Sequence, residues 1–142
     1  MKAQHILHSK GTDVFAVSES DEISSAVAVL NDKNIGAVIV KNQAGEISGI
    51  LSERDVVRRL GKNGPATLNM SVADCMTANP YTCSPEASLD EIMGQMTSKR
   101  IRHLPVTDGG KVVGVISIGD VVKRKIELAE QEAEALKEYI AT

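Results

Sequence analysis

Tryptophan is absent from this 142-residue chain, and one phenylalanine and two tyrosines are its only aromatic side chains. A core of stacked rings is excluded. The 42% of apolar residues must instead pack as Val, Ile, Leu, Ala and Met. Long apolar runs are also missing. None approaches the roughly 18 residues that a membrane-spanning helix requires. The N-terminal "MKAQHILHSKG" has neither the apolar stretch nor the small-residue cleavage site of a secretory leader, so a soluble cytoplasmic protein is expected. Excess positive charge is lacking too: 16 Lys and Arg face 19 Asp and Glu, a net charge of −3. That balance argues against a nucleic-acid partner. Cys75 and Cys83 are not spaced as CxxC, and His5, His8 and His103 form no paired-ligand motif. Two reduced thiols and no metal site are expected. No phosphate-binding loop and no nucleophile elbow occurs, and Ser117 has no evident base near it in sequence. Nothing in the chain reads as an enzyme.

What the chain does have is an internal repeat. "GILSERDVV" at 49–57 returns as "GVISIGDVV" at 114–122. With an offset of 65, Gly49 falls on Gly114, Ser52 on Ser117 and Asp55 on Asp120. Upstream the offset is 66: Phe15 meets Tyr81, Ile23 meets Leu89, Leu30 meets Met96, Ile35 meets Ile101 and Val40 meets Val106. The lost residue lies where "KNQAGE" shortens to "TDGGK". In each half, short extended pieces ("VFAVS", "YTCSP") precede a helical pattern. Ile23, Ala26, Val27 and Leu30 recur at helical spacing, as do Leu89, Ile92, Met93 and Met96. "GAVIV" and "RHLPV" read as buried strands, Gly45 and Gly109-Gly110 as turns, and "EISGILS" and "KVVGVIS" as second strands running into helices. The order is β-α-β-β-α, twice, a mixed α/β (α+β) fold. One copy is too small to cover both faces of its sheet. Two copies can close on each other about a pseudo-twofold axis, leaving two clefts at the seam, and seams between units are favoured ligand sites.

The repeat resembles the cystathionine β-synthase (CBS) domain, which occurs in tandem pairs. "SERDVVRRL", "VADCMT", "KRIRHLPV" and "GVISIGDVV" carry the resemblance over roughly residues 5 to 125. It implies a regulatory module that binds adenosine nucleotides. Most such pairs are attached to an enzyme, channel or transporter, whereas this pair is expected to stand alone.

Ser117 and Asp120 then have two readings. A serine followed three residues on by an acid at a helix start approximates a capping box, and both residues can serve only as caps. Alternatively, the free N–H groups and partial charge of the helix start receive a phosphate, and the carboxylate accepts hydrogen bonds from ribose hydroxyls. The resemblance implies that second role for Asp120, with Gly119 allowing close approach. Ser52 and Asp55 hold the same places in the first copy, with Arg54 where Gly119 stands. Arg102 and His103 are either a solvated strand end or phosphate ligands; the resemblance implies the latter. Gly36 and Ala37 replace them in the first copy, so the two clefts are not expected to be equivalent. Main chain around Ile35-Gly36-Ala37 and Ile101-Arg102 can read an adenine edge, beside Pro80, Tyr81 and Thr82 or Val14 and Phe15. Tyr81 is expected in the core, as are Met76, Met93 and Met96.

The expected organisation is a first repeat with its N-terminal segment at 1–70, a second repeat at 71–125 and a C-terminal helix at 126–142. Arg58, Arg59 and Lys62 form a basic cluster that is either solvated or available to a second phosphate. Ile126, Ala129, Ala133, Leu136 and Ile140 recur at spacings of 3 and 4, a two-heptad seam. So short a helix must pack on its own core or on a second chain; the resemblance favours a homodimer. The expected ligand is AMP, ADP or ATP. The alternatives are NAD(H), with Arg54 and Arg58 on its second phosphate, and a structural adaptor that binds nothing.

Overall fold

A computed structural model describes residues 1–141. Helix α1 (Ala3–Lys10) leads the first repeat. That repeat comprises β1 (Ala16–Ser18), α2 (Ile23–Lys33), β2 (Ala37–Lys41), β3 (Ile47–Ser52) and α3 (Glu53–Asn63). A 3-10 segment (Gly64–Asn69), the short helix α4 (Val72–Cys75) and β4 (Thr77–Ala78) lead the second repeat, α5 (Leu89–Lys99), β5 (His103–Asp108), β6 (Lys111–Ser117) and α6 (Ile118–Ala141). The first sheet has the order β1-β2-β3-β4, with β1 parallel to β2 and the other pairs antiparallel. The second is the antiparallel pair β5-β6.

The mixed α/β repeat read from the sequence is the fold observed, with one reduction. Val17 pairs with Val40 in the first sheet, and its counterpart Cys83 pairs with Val106, but as a single parallel bridge. Cys83 N donates to Pro105 O at 3.0 Å, and Thr107 N donates to Cys83 O at 2.9 Å. The pairing does not extend beyond Cys83. "YTCSP" lies between Pro80 and Pro85, which have no amide hydrogen to give a ladder.

Side-chain alternation along the strands sorts the core into three parts. On β2, Val38 and Val40 point to the helices of their own repeat and meet Ile23, Ala26, Leu30 and Leu51. Ala37 and Ile39, on the other face, join Ile50 and the partly buried Val112 and Val115 of the second repeat. That cluster is the seam between the halves. Leu104, Val106 and Ile116 form the second repeat's own core with Leu89, Ile92 and Met96.

The lead segments are exchanged. Ala3, Ile6 and Leu7 of α1 precede the first repeat in sequence but are buried in the second repeat's core. Val72 and Cys75 of α4 precede the second repeat and are buried in the first. The backbone repeats the exchange bond for bond: Leu89 N donates to Met1 O and Ile23 N to Met70 O, both at 2.9 Å. Two glycines make room for it. A methyl on Gly114 would stand 2.8 Å from Leu7 Cδ1 and closer still to Cδ2. A methyl on Gly49 would stand 2.5 Å from Met76 Sδ and 2.8 Å from Thr77 O.

The C-terminal stretch continues α6 without a break through 24 residues. Leu128 packs on the second repeat's core, and Lys125 Nζ lies 2.8 Å from Asp90 Oδ1 on α5. The expected seam is not used by the chain itself: Ile126, Leu136 and Ile140 are 54%, 59% and 74% exposed.

Candidate functional site

Helices α3 and α6 each begin where the second strand of a repeat ends, and each begins with the same hydrogen-bonded device. Ser52 N and Oγ donate to Asp55 Oδ2 at 2.9 and 3.1 Å, and Asp55 N donates back to Ser52 Oγ at 3.3 Å. Ser117 N and Oγ donate to Asp120 Oδ2 at 2.8 and 3.0 Å, and Asp120 N donates to Ser117 Oγ at 3.2 Å. Both acids therefore cap their helices. Capping engages only Oδ2, so the cap does not consume the second carboxylate oxygen.

The other half of the device is a corner. Helices α2 and α5 end in equivalent residues with left-handed backbone, Asn34 at φ 53° and Arg100 at φ 54°. Asparagine tolerates this conformation; arginine adopts it at a cost of about 1–2 kcal/mol. The chain after each corner is bonded to its own repeat's helix start, Glu53 N donating to Gly36 O at 3.0 Å and Ile118 N to Arg102 O at 2.8 Å, but it lines a cleft with the helix start of the other repeat, so the two clefts are crossed. The first, about 370 Å³, is lined by Asn34, Ile35, Gly36, Ala37 and Phe15 of the first repeat, Val115, Ser117 and His103 of the second, and Lys10, Gly11 and Asp13 of the lead segment. The second, about 760 Å³, is lined by Ser52, Glu53, Arg54, Asp55 and Arg58 of the first repeat, Lys99, Arg100, Ile101, Arg102, His103 and Ile118 of the second, and the 77–81 segment. Both volumes lie in the range of small-ligand sites.

The residues picked from the sequence divide accordingly. Ser52, Arg54, Asp55, Pro80, Tyr81, Ile101 and Arg102 share the second cleft; Ser117 and Ala37 belong to the first; Gly36 and His103 line both. The acid that faces Arg102 is thus Asp55 of the other repeat. Asp120 sits beside the first cleft with Lys10 against it at 2.6 Å. Asp120 itself, Thr82 and Gly119 line neither cavity. Gly119 does border open space, since an added Cβ would meet only Ser117 Oγ, at 3.6 Å. Tyr81 is not core: it is half exposed, with Lys99 Nζ 5.1 Å from its ring centre. Lys33 lies over Phe15 in the same way at 5.3 Å. A short bridge in place of a strand leaves Tyr81 outside the packed sheet. Sequence reasoning missed Lys10 and Glu53, and it placed Lys99 and Arg100 in a basic strand end facing water or an anion without choosing them as ligands. The repeat offset carried a further signal for Lys99 and Arg100, because Lys33-Asn34 falls on them beside the matched Ile35 and Ile101.

His103 forms the wall between the clefts. A Cβ on Gly36 would stand 3.0 Å from His103 Nε2 and 3.3 Å from Glu53 Oε1, so the wall closes only on glycine. Burial holds the His103 pKa below its ordinary value, outweighing the neighbouring Glu53 carboxylate. Burial works against the Asp120 carboxylate, but the Lys10 ammonium and the Ser117 amide outweigh it and keep its pKa below the ordinary value. In the second cleft five full cations (Arg54, Arg58, Lys99, Arg100 and Arg102) meet two acids, Glu53 and Asp55. Such a wall concentrates anions.

The sequence profile of the CBS domain matches residues 8–62 and again 72–127. The chain belongs to the CBS domain family. This CBS pair is 40% identical to the CBS-domain containing protein ATU1752 from Agrobacterium tumefaciens; the match covers 87% of this chain and 92% of that one, with a TM-score of 0.84. It is 33% identical to the CBS domain-containing protein CBSX3, mitochondrial, of Arabidopsis thaliana, over 84% of this chain and 60% of that one, so it spans less than two thirds of that protein's length. A CBS domain protein from Pyrobaculum aerophilum, PAE2072, shares the fold at 20% identity and a TM-score of 0.76, covering 84% of this chain and 89% of that one. Its structure is of a complex with AMP. No helix among the described residues is long and apolar enough to cross a membrane.

Proposed function

We propose that this CBS pair is a regulatory module that binds an adenosine nucleotide in its second cleft, with Asp55 accepting the ribose hydroxyls and Arg100, Arg102 and the α3 start receiving phosphate. The observation that carries the reading is the crossing itself. One repeat supplies an acid with no cation in ion-pair distance among the described residues, and the other supplies a strand end of arginines, across a cavity of about 760 Å³. A carboxylate suits a vicinal diol, and guanidinium suits phosphate. The AMP complex of the distant PAE2072 pair supports the same ligand class. Arg54 and Arg58, further along α3, favour a ligand with more than one phosphate, which brings ADP, ATP and NAD(H) within the same reading. Titration calorimetry of the full chain with AMP, ADP, ATP and NAD tests it. Binding should appear for at least one of them and weaken about tenfold or more in Asp55→Asn, a change that leaves the Ser52 N-cap in place and keeps one side-chain oxygen to accept the Ser52 amide. Unchanged affinity for every ligand removes Asp55 from the role; no binding at all removes the function.

The partner that receives the signal is a second copy in the first instance. Val57 and Leu60 on α3 are 65% and 38% exposed, and Ile118, Val122 and Ile126 on α6 are 43%, 50% and 54% exposed. Val57 and Val122 are equivalent in the repeat, and this apolar set rims the second cleft at Ile118. Exposed aliphatics at equivalent places on two helices are the expected mark of an interface. Light scattering should find a dimer in the native chain and a folded monomer in the double variant Val57→Glu, Val122→Glu; a monomeric native chain contradicts it.

A further inference from the structure

The two clefts follow one plan, yet their acids are not in the same state. Lys10 Nζ donates to Asp120 Oδ2 at 2.6 Å and to Val115 O at 2.8 Å. The Lys10 and Asp120 side chains are 33% and 21% exposed, so the pair is partly withdrawn from solvent. Asp55, the matching acid of the second cleft, receives beyond its cap only the weak Thr77 hydroxyl contact at 3.4 Å, and no ammonium group among the described residues. The offset of 69 that superposes the exchanged lead segments places neutral Asn79 where the first cleft has Lys10. Lys10 is also anchored. It is the last residue of α1, whose Ala3, Ile6 and Leu7 are buried, and Gly11 closes the helix by donating N–H to Leu7 O. The ammonium group therefore reaches Asp120 from a fixed base.

We infer that Lys10 is a specificity-determining residue that closes the first cleft to ribose by neutralising the Asp120 carboxylate, so that the chain takes one nucleotide, in the second cleft. The inference rests on the adenosine-binding reading above. Lys10 sits on Oδ2, the capping oxygen, so a diol offered to the remaining Oδ1 meets a carboxylate whose charge an ammonium already compensates, a weaker acceptor than one without a cation partner. Asp55 has no such partner among the described residues. The closed cleft also has about half the volume of the open one, 370 against 760 Å³.

Titration calorimetry with AMP and with ATP, on the full chain and on Lys10→Met, tests this. Methionine keeps an unbranched stem and removes the charge. The native chain should bind one nucleotide per chain, and that site should weaken about tenfold or more in Asp55→Asn while staying unchanged in Asp120→Asn. Lys10→Met should gain a second site per chain, which Asp120→Asn added to it abolishes, and Lys10→Arg should keep the single site. Two comparable sites in the native chain, a native site that depends on Asp120 rather than Asp55, or a single site in Lys10→Met would each overturn the role of Lys10 while leaving nucleotide binding in place. Absence of AMP and ATP binding in both proteins overturns the underlying reading together with this one.

Discussion

The exchange of lead segments can be tested by a double-mutant cycle between Leu7 and Gly114, 107 positions apart in sequence. Gly114 is buried on β6, and its added methyl would stand 2.8 Å from Leu7 Cδ1 and 3.1 Å from Cγ, well inside an ordinary carbon contact of about 3.5–4.0 Å. Gly114 has no left-handed backbone, so alanine meets a packing obstacle and not a conformational one. Leu7 is 4% exposed and cannot swing into solvent. Gly114→Ala alone should therefore cost about 1–3 kcal/mol by overpacking. Leu7→Ala alone should cost about 2–5 kcal/mol by loss of burial and a residual cavity. In the double variant all three obstructing Leu7 atoms are gone, and the new methyl enters the space they leave. The pair should then cost no more than Leu7→Ala alone, a coupling of about 1–3 kcal/mol. Equilibrium urea unfolding, with the slope held common, reads each value. Additivity within about 0.5 kcal/mol would mean that the two residues do not touch, and α1 would not lie on the second repeat.

Two further outcomes follow from groups at the clefts. Arg100 pays for its left-handed backbone, so Arg100→Asn should raise stability by about 0.5–1 kcal/mol in urea unfolding while weakening ATP binding; loss of stability would show that the arginine is not strained. His103 has a pKa below its ordinary 6.5 in the fold. Below about pH 6.5 the unfolded chain gains a proton that the folded chain resists, so stability should fall as pH drops through that value and level off once folded His103 is itself protonated. His103→Gln should remove that part of the pH slope, and an unchanged slope would assign it to another group.

The repeat was legible because it is written in residue types whose physics is local. Ser-x-x-Asp at 52–55 and 117–120 caps a helix wherever it stands, and Val38/Val40 against Ala37/Ile39 alternates by the geometry of any strand. The exchange was not read, although Met1 to Leu7 and Met70 to Met76 can be superposed: their buried positions hold Ala3 against Val72, Ile6 against Cys75 and Leu7 against Met76. These pairs share a place in the packing, with Met76 partly and the others fully buried, but not identity, and burial is a property of what each segment meets. The division of the site residues between clefts was hidden for the same reason. Sequence offset shows which residues are equivalent, whereas crossing decides which are neighbours, so Asp55 stands with Arg102 and not with Gly36-Ala37 alone. Tyr81 was misplaced because an aromatic residue beside a strand reads as core until the strand proves to be one bridge long.

Crossing has a consequence for how such a pair could signal. A ligand held by groups of one repeat alone would stabilise that repeat and leave the arrangement of the halves untouched. A ligand that spans Asp55 on α3 and Arg102 beside β5 interacts with both, so its affinity depends on the spacing of the two repeats. A ligand shifts an equilibrium only by its difference in affinity for the two states. At a hundredfold excess over its dissociation constant it contributes about 2.7 kcal/mol to the state that binds it. The seam opposing any change of spacing is small: three buried side chains, Ala37, Ile39 and Ile50, with four partly buried neighbours. The exchanged helices, by contrast, tie each repeat to the other's lead segment through main-chain hydrogen bonds. On the nucleotide-binding reading, ligand energy would therefore act between the repeats, whose helices α3 and α6 carry exposed aliphatic side chains.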